Sequence, residues 1–199
     1  MPAIDPDWLE ELCSGGELAR SIAAGEIHRC GRIPALLVVH SWRKQPDLER
    51  LLPDPDMNVT VGVAVRPDTF KEIRAAAGMP ELADVPPDQD AIEFEMNFAS
   101  GARLDILTTQ DPAGTGAIAR YLHKFGEGVQ QVEFLCTDVD RATGALKAHF
   151  AITPVYPETR AGANGTRINF FLVAVDGESG PEKLLIELYE KPEKGSAVH

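Results

Sequence analysis

Beyond residue 57 the apolar positions fall into short blocks with the two-residue period of β-strands. NVTVGVAV (58–65) and VQQVEFLC (129–136) read as strands. AIEFEMNF (91–98) alternates polar with apolar residues, and the turn ASGA joins it to a second alternating run, RLDILTT (103–109), so the two need antiparallel pairing. TRINFFLV (166–173) and LLIELYE (184–190) are further strands, separated by what reads as a longer loop, VDGESGPEK (175–183). Helical patterns lie between them. RPDTFKEIRAAAG (66–78) has Asp68 or Thr69 as its N-cap and Gly78 as its stop. DVDRATGALKAHF (138–150) is the second helix.

The first 56 residues have a different pattern. Leu9 and Leu12, then Leu18 and Ile22, recur at helical spacing on either side of a Gly15-Gly16 break. IPALLVVHSW (33–42) reads as a short buried strand or packed segment. QPDLERLLPDPD (45–56) reads as a helical turn ended by prolines, with PDPD as a boundary. The expected organisation is an N-terminal helical extension (1–56), a first module (57–128), a second module (129–191) and a tail (192–199).

The two modules repeat each other: strand, helix, strands, twice. With TVGVAV laid over QVEFLC, Thr60 falls over Gln131. With ARLDIL laid over LLIEL, Asp105 falls over Glu187. Four polar side chains therefore occupy equivalent strand positions among apolar neighbours, where an unpaired polar group is costly.

Composition narrows the function classes. The chain has 199 residues, 44% hydrophobic, with a net charge of −12 and three scattered cysteines. No basic stripe is present, which argues against nucleic acid as a partner. The longest apolar runs are too short to span a bilayer, and the acidic start lacks the form of a signal peptide. Cys13, Cys30 and Cys136 write no disulfide framework. A reduced cytoplasmic protein acting on a small molecule is expected, with no membrane partner. His28 and Cys30 form only a weak metal pattern. His40 reads as a core histidine, His123 as lying on a helix surface, and Lys147 with His149 as a solvated helix face. Glu93 and Glu95 read as a solvated strand face. Arg160 and Asn164, in the glycine-containing loop PETRAGANG, are candidates for meeting a phosphate or carboxylate, although most such loops are only connections.

From about Met57 to Lys191 the chain resembles the vicinal oxygen chelate superfamily, and within it the methylmalonyl-CoA epimerase family. The pieces that carry the resemblance are TVGVAV, ARLDIL-TTQDP, IARYLHKFGEGVQQVEF, PETRAGANGTRINFFL and LLIELYE, in that order. The resemblance implies an α+β fold of two βαβββ-type modules sharing a half-open barrel. It also implies that Thr60, Asp105, Gln131 and Glu187 stand at the family's ligand positions, with homodimerisation an option. Gln131 is then expected to face the cavity and Gln130 away from it. Where metal-binding members have histidine, this chain has Thr60 and Gln131. No cofactor is expected. The remaining oxygen donors, Asp105, Gln131 and Glu187, would suit only a hard divalent ion such as Mg, Mn or Ca.

Two function classes follow. In the first, Glu187 or Asp105 moves a proton beside the carbonyl of a small substrate, a CoA thioester among the options, with Thr60, Gln131, Arg160 and Asn164 binding it. In the second, the cavity binds a small molecule without chemistry, as resistance proteins of the superfamily do. Retained carboxylates favour an isomerase- or lyase-like enzyme. Glyoxalase and ring-cleaving dioxygenase chemistry is disfavoured because both use the missing histidines.

Overall fold

The computed structural model describes residues 4–177 and 180–192. Seven strands form one curled sheet in the order β2-β3-β1-β4-β7-β6-β5. The first half supplies β1 (Val59–Ala64), helix α4 (Pro67–Ala76), β2 (Ile92–Asn97) and β3 (Arg103–Thr108). After α5 (Ala117–Phe125), the second half supplies β4 (Gly128–Leu135), α6 (Val139–Phe150), the two-residue β5 (Arg160–Ala161), β6 (Arg167–Gly177) and β7 (Gly180–Glu190).

The halves meet where β1 pairs antiparallel with β4. In each half the first strand pairs parallel with the last, β1 with β3 and β4 with β7. The registers match. Gly62 lies beside Asp105, and Glu133 lies beside Glu187. Across the central pair, Thr60 faces Glu133 and Gly62 faces Gln131. A twofold between β1 and β4 therefore relates Thr60 to Gln131, Gly62 to Glu133 and Asp105 to Glu187.

Strand alternation separates two faces. Val59, Val61 and Val63 of β1, Val132 and Phe134 of β4, and Leu184, Ile186 and Leu188 of β7 are all buried in the main core with residues of α4, α6 and the N-terminal helices. The opposite face is concave. At one end α5 packs onto it, with Ile118 against Ala64 and Leu107 and with the Tyr121 hydroxyl donating to the Val129 carbonyl at 2.8 Å.

The N-terminal residues form α1 (Pro6–Ser14), α2 (Glu17–Trp42) and α3 (Pro46–Leu51). Residues 33–42, expected as a strand or packed segment, are instead the second half of α2. Ala35, Leu36, Val39 and Trp42 are buried while Ile33 and Leu37 are exposed, which is helical periodicity. Pro34 sits inside this helix. A proline there removes a backbone donor and costs about 3 kcal/mol, so tertiary burial holds the helix across it. The expected loop 175–183 is also corrected. β6 runs to Gly177 and β7 begins at Gly180, because two long antiparallel strands satisfy the backbone of both. Residues 178 and 179 lie outside the described residues, as does the tail from 193. The first helix of the first half starts at Pro67 with Arg66 at its N-cap, rather than at Asp68 or Thr69, in keeping with the preference of proline for the first helical turn.

Gly31 lets α2 approach the sheet. A Cβ there would lie 2.8 Å from Val61 Cγ1 and 3.2 Å from Val129 Cγ1. Gly31→Leu is expected to lower stability by about 1–3 kcal/mol. Gly25, on the same helix, has nothing within 4 Å of an added Cβ, so Gly25→Ala should gain roughly 0.5–1 kcal/mol. Urea unfolding of the two variants checks both signs.

Candidate functional site

The concave face and the loops around it enclose a cleft of about 1220 Å³. Thr60 of β1, Asp105 of β3, Gln131 of β4 and Glu187 of β7 all line it, and each is at least nine-tenths buried. Gln131 is the hub. Its amide nitrogen donates to Glu187 Oε2 at 2.8 Å and to Glu133 Oε1 at 3.1 Å. Gly62 makes room for this clamp, since a Cβ there would sit 2.6 Å from Gln131 Cγ.

Gln130 departs from the expectation that it faces away. The β1–β4 register shifts after Gly62, which pairs with Gln131, while the next residue, Val63, pairs with Val129. Gln130 is the extra residue of a β-bulge. A bulge interrupts alternation, so Gln130 and Gln131 both line the cleft. Gln130 is buried, and its Oε1 has no hydrogen-bond partner among the described residues.

Three more carboxylates join Asp105 and Glu187 here: Glu93 and Glu95 of β2 and Glu133 of β4. Glu95 is exposed and Glu93 half-buried, so the expected solvated face holds for one of the two. The curl of the sheet turns the other inward. Glu133 is not among the residues singled out from the sequence, although a signal exists: it lies two residues from Gln131 in one strand, hence on the same face.

Burial raises the pKa of Glu93, Asp105, Glu133 and Glu187, because desolvation penalises the charged form. Glu93 and Glu133 are pushed up to about 7. For Glu133 burial dominates, partly offset by the Gln131 hydrogen bond. Asp105 and Glu187 are raised well above the carboxylate range, by burial first and then by the surrounding carboxylates. Among the described residues no hydrogen-bond donor meets the Asp105 carboxyl, whereas Glu187 accepts a hydrogen bond from Gln131.

Arg160 and Asn164 serve the cleft mouth. Arg160 pairs with Asp88 and lies over the Tyr156 ring at 4.6 Å. Asn164 Oδ1 accepts from the Asp84 backbone N–H at 3.0 Å, and its own N–H donates to the Asp84 carbonyl at 2.9 Å. Gln89 donates to the Ala161 carbonyl at 2.5 Å. These contacts tie the segment before β2 to the segment before β6, so the two edges of the half-barrel are joined across the opening.

The histidines lie elsewhere. His28 is in the core beside the Val59 carbonyl, whereas His40, expected in the core, is exposed and pairs with Asp56; His123 meets the Pro112 carbonyl and His149 pairs with Asp47. Among the described residues no three His, Cys, Asp or Glu side chains converge as metal ligands. Gln131 also turns its amide N–H groups, not its oxygen, toward Glu187 and Glu133. No helix among the described residues is long and apolar enough to cross a membrane.

A curled sheet of two βαββ halves around such a cleft defines the vicinal oxygen chelate fold, and this chain has it. Its structural neighbours include methylmalonyl-CoA epimerases. The enzyme from Mycobacterium tuberculosis is 26% identical, with a TM-score of 0.54 over 69% of this chain and 89% of that one. A variant of the Streptomyces coelicolor enzyme, in complex with 2-nitronate-propionyl-CoA, is 24% identical with a TM-score of 0.51 over 72% and 96%. A hypothetical protein from Bacillus halodurans shares the fold at 17% identity and a TM-score of 0.52 over 68% and 94%. No family model matches the sequence, and no curated protein matches it.

Proposed function

We propose that the protein is an epimerase-like enzyme that moves a proton at the carbon beside the carbonyl of a small CoA-linked substrate. The observation that carries this reading is the pair Asp105 and Glu187. They occupy equivalent positions in the two halves, are each 8% exposed, and face one cleft. Epimerisation removes a proton from one side of a carbon and returns one to the other, which two acids from opposite halves of a barrel can serve. Crowded carboxyls cannot all ionise together, so at neutral pH the cluster holds both acid and base forms. Glu187, whose charge Gln131 stabilises, is the proton acceptor in this reading. Asp105, with no such donor, stays protonated and returns the proton. The C–H electron pair moves into the carbonyl, and the Thr60 hydroxyl at the centre of the sheet supports the developing enolate oxygen. Arg160 holds the carrier at the mouth. No step runs through a metal.

The likeness to the Mycobacterium tuberculosis epimerase supports the chemistry. Three free cysteines agree with a reducing cytoplasm as its location. The test is solvent exchange. Acyl-CoA thioesters incubated with the protein in D2O should lose the α-proton signal in NMR at a rate proportional to protein concentration. A thioester that binds without exchange would favour the non-catalytic binding reading instead.

A further inference from the structure

Helix α2 is apolar on two sides. Its inner side, with Ala23, Ala24, Ile27, Ala35, Val39 and Trp42, is buried against α1 and the convex face of the sheet. Its outer side carries four of the ten exposed large apolar side chains among the described residues. These are Leu18, Ile22, Ile33 and Leu37, exposed by 75%, 59%, 46% and 71%. A surface helix ordinarily turns charged and polar residues to that side. At 3.6 residues per turn the four fall within an arc of about 100° and form one stripe about 29 Å long. Glu26 and Arg29 sit in the middle of the same arc, joined by an ion pair of 2.6 Å.

The order of these six residues is self-complementary. From Leu18 through Ile22, Glu26, Arg29 and Ile33 to Leu37, the spacings are 4, 4, 3, 4 and 4, the same from either end. Two α2 helices can therefore pack antiparallel about a twofold axis at the level of Ile27 and His28. Leu18 then meets the partner's Leu37, Ile22 meets the partner's Ile33, and Glu26 meets the partner's Arg29. Each contact occurs twice, as an isologous interface requires. The two Glu26–Arg29 pairs close into a ring of alternating charge at the axis. A parallel arrangement would set Glu26 against the partner's Glu26 and Arg29 against the partner's Arg29, and like charges reject it. Net charge favours the same face. The chain carries −12, which repels a second copy. Within α2 three arginines stand against two glutamates, so this helix adds nothing to that repulsion.

We infer that α2 is the contact face of a homodimer, with two copies packed antiparallel through the stripe from Leu18 to Leu37. The helix belongs to the N-terminal extension, outside the segment from Met57 to Lys191 that carries the family resemblance, so this contact is a property of the extension itself. It lies on the convex side of the sheet. Both clefts therefore stay open and face away from each other, and the contact does not depend on the chemistry inside them.

Sedimentation equilibrium of the full-length protein should show a dimer. Leu18→Glu and Leu37→Glu, both at exposed positions, should leave the circular dichroism spectrum unchanged and weaken dimerisation by about tenfold or more. Glu26→Arg should weaken it as well, and Glu26→Arg combined with Arg29→Glu should restore it. Disulfide trapping reads the register. Ile22→Cys and Ile33→Cys chains should cross-link when mixed under oxidising conditions, and neither should cross-link alone. Cys13, Cys30 and Cys136 are common to all three samples and do not distinguish them. A monomer at every concentration, a dimer untouched by both glutamate substitutions, or cross-linking of Ile22→Cys with itself would overturn the inference. In the first case, co-sedimentation of the monomer with anionic phospholipid vesicles would assign the stripe to a lipid surface instead.

Discussion

Glu187→Gln is expected to lower α-proton exchange by a hundredfold or more while leaving the fold unchanged. The loss is that of a general acid–base group. The fold should persist because the replacement is isosteric and the local contacts survive it. Leu184, Ile186 and Leu188, on the opposite face of β7, are fully buried and anchor the strand. An amide at 187 can still accept from Gln131. Removing one carboxyl also relieves Asp105, one of whose raising influences is Glu187. The variant should therefore bind thioester within a few-fold of the parent by calorimetry, and the loss should appear in turnover alone. Exchange at the parental rate in a folded Glu187→Gln protein would end the assignment of Glu187. A parallel loss of binding would instead assign the residue to recognition.

Much of this site is legible in the amino-acid sequence because strand periodicity is strict. An internal register of two modules is enough to bring Thr60, Asp105, Gln131 and Glu187 onto one surface, as the matched pairings of β1 with β3 and β4 with β7 require. The parts that escape such a reading are those where a local rule is overridden. Alternation sends Gln130 outward, and a bulge brings it in. Proline argues for a helix end at residue 34, and burial of Ala35, Leu36, Val39 and Trp42 carries the helix through. Charge argues for solvent at Glu93, and curvature of the sheet, which no single strand encodes, turns that face inward. The ties between Arg160 and Asp88 and between Asn164 and Asp84 join segments some 70 to 80 residues apart, and no periodicity reports a contact of that kind.

The stability of the protein should fall as pH rises from about 4.5 to 7. An acid whose pKa is higher folded than unfolded binds more protons in the folded state between the two values. Unfolding then releases protons, and the slope of stability against pH is negative through that window. Glu93 and Glu133 move from 4.5 to about 7, each corresponding to on the order of 3 kcal/mol. Asp105 and Glu187, raised further by burial and by one another, extend the decline above pH 7. Asp47 and Asp140 act in the other direction, since their pKa values are lowered by His149 and by Thr159 with Arg167. Their contribution is lost only below pH 4, whereas His28, whose pKa burial lowers from 6.5, opposes the decline up to about pH 6.5; four raised carboxyls stand against this one imidazole. Urea unfolding at pH 5 and pH 8 measures the decline. Asp105→Asn supplies the mechanism: it removes the acid that has four carboxylate neighbours and no hydrogen bond, so it should stabilise the protein at pH 8 by a few kcal/mol and change little at pH 5. A flat or rising stability across this range, or an Asp105→Asn protein weakened at pH 8, would mean that the inner acids keep their ordinary ionisation and that the cleft is wetter than its burial indicates.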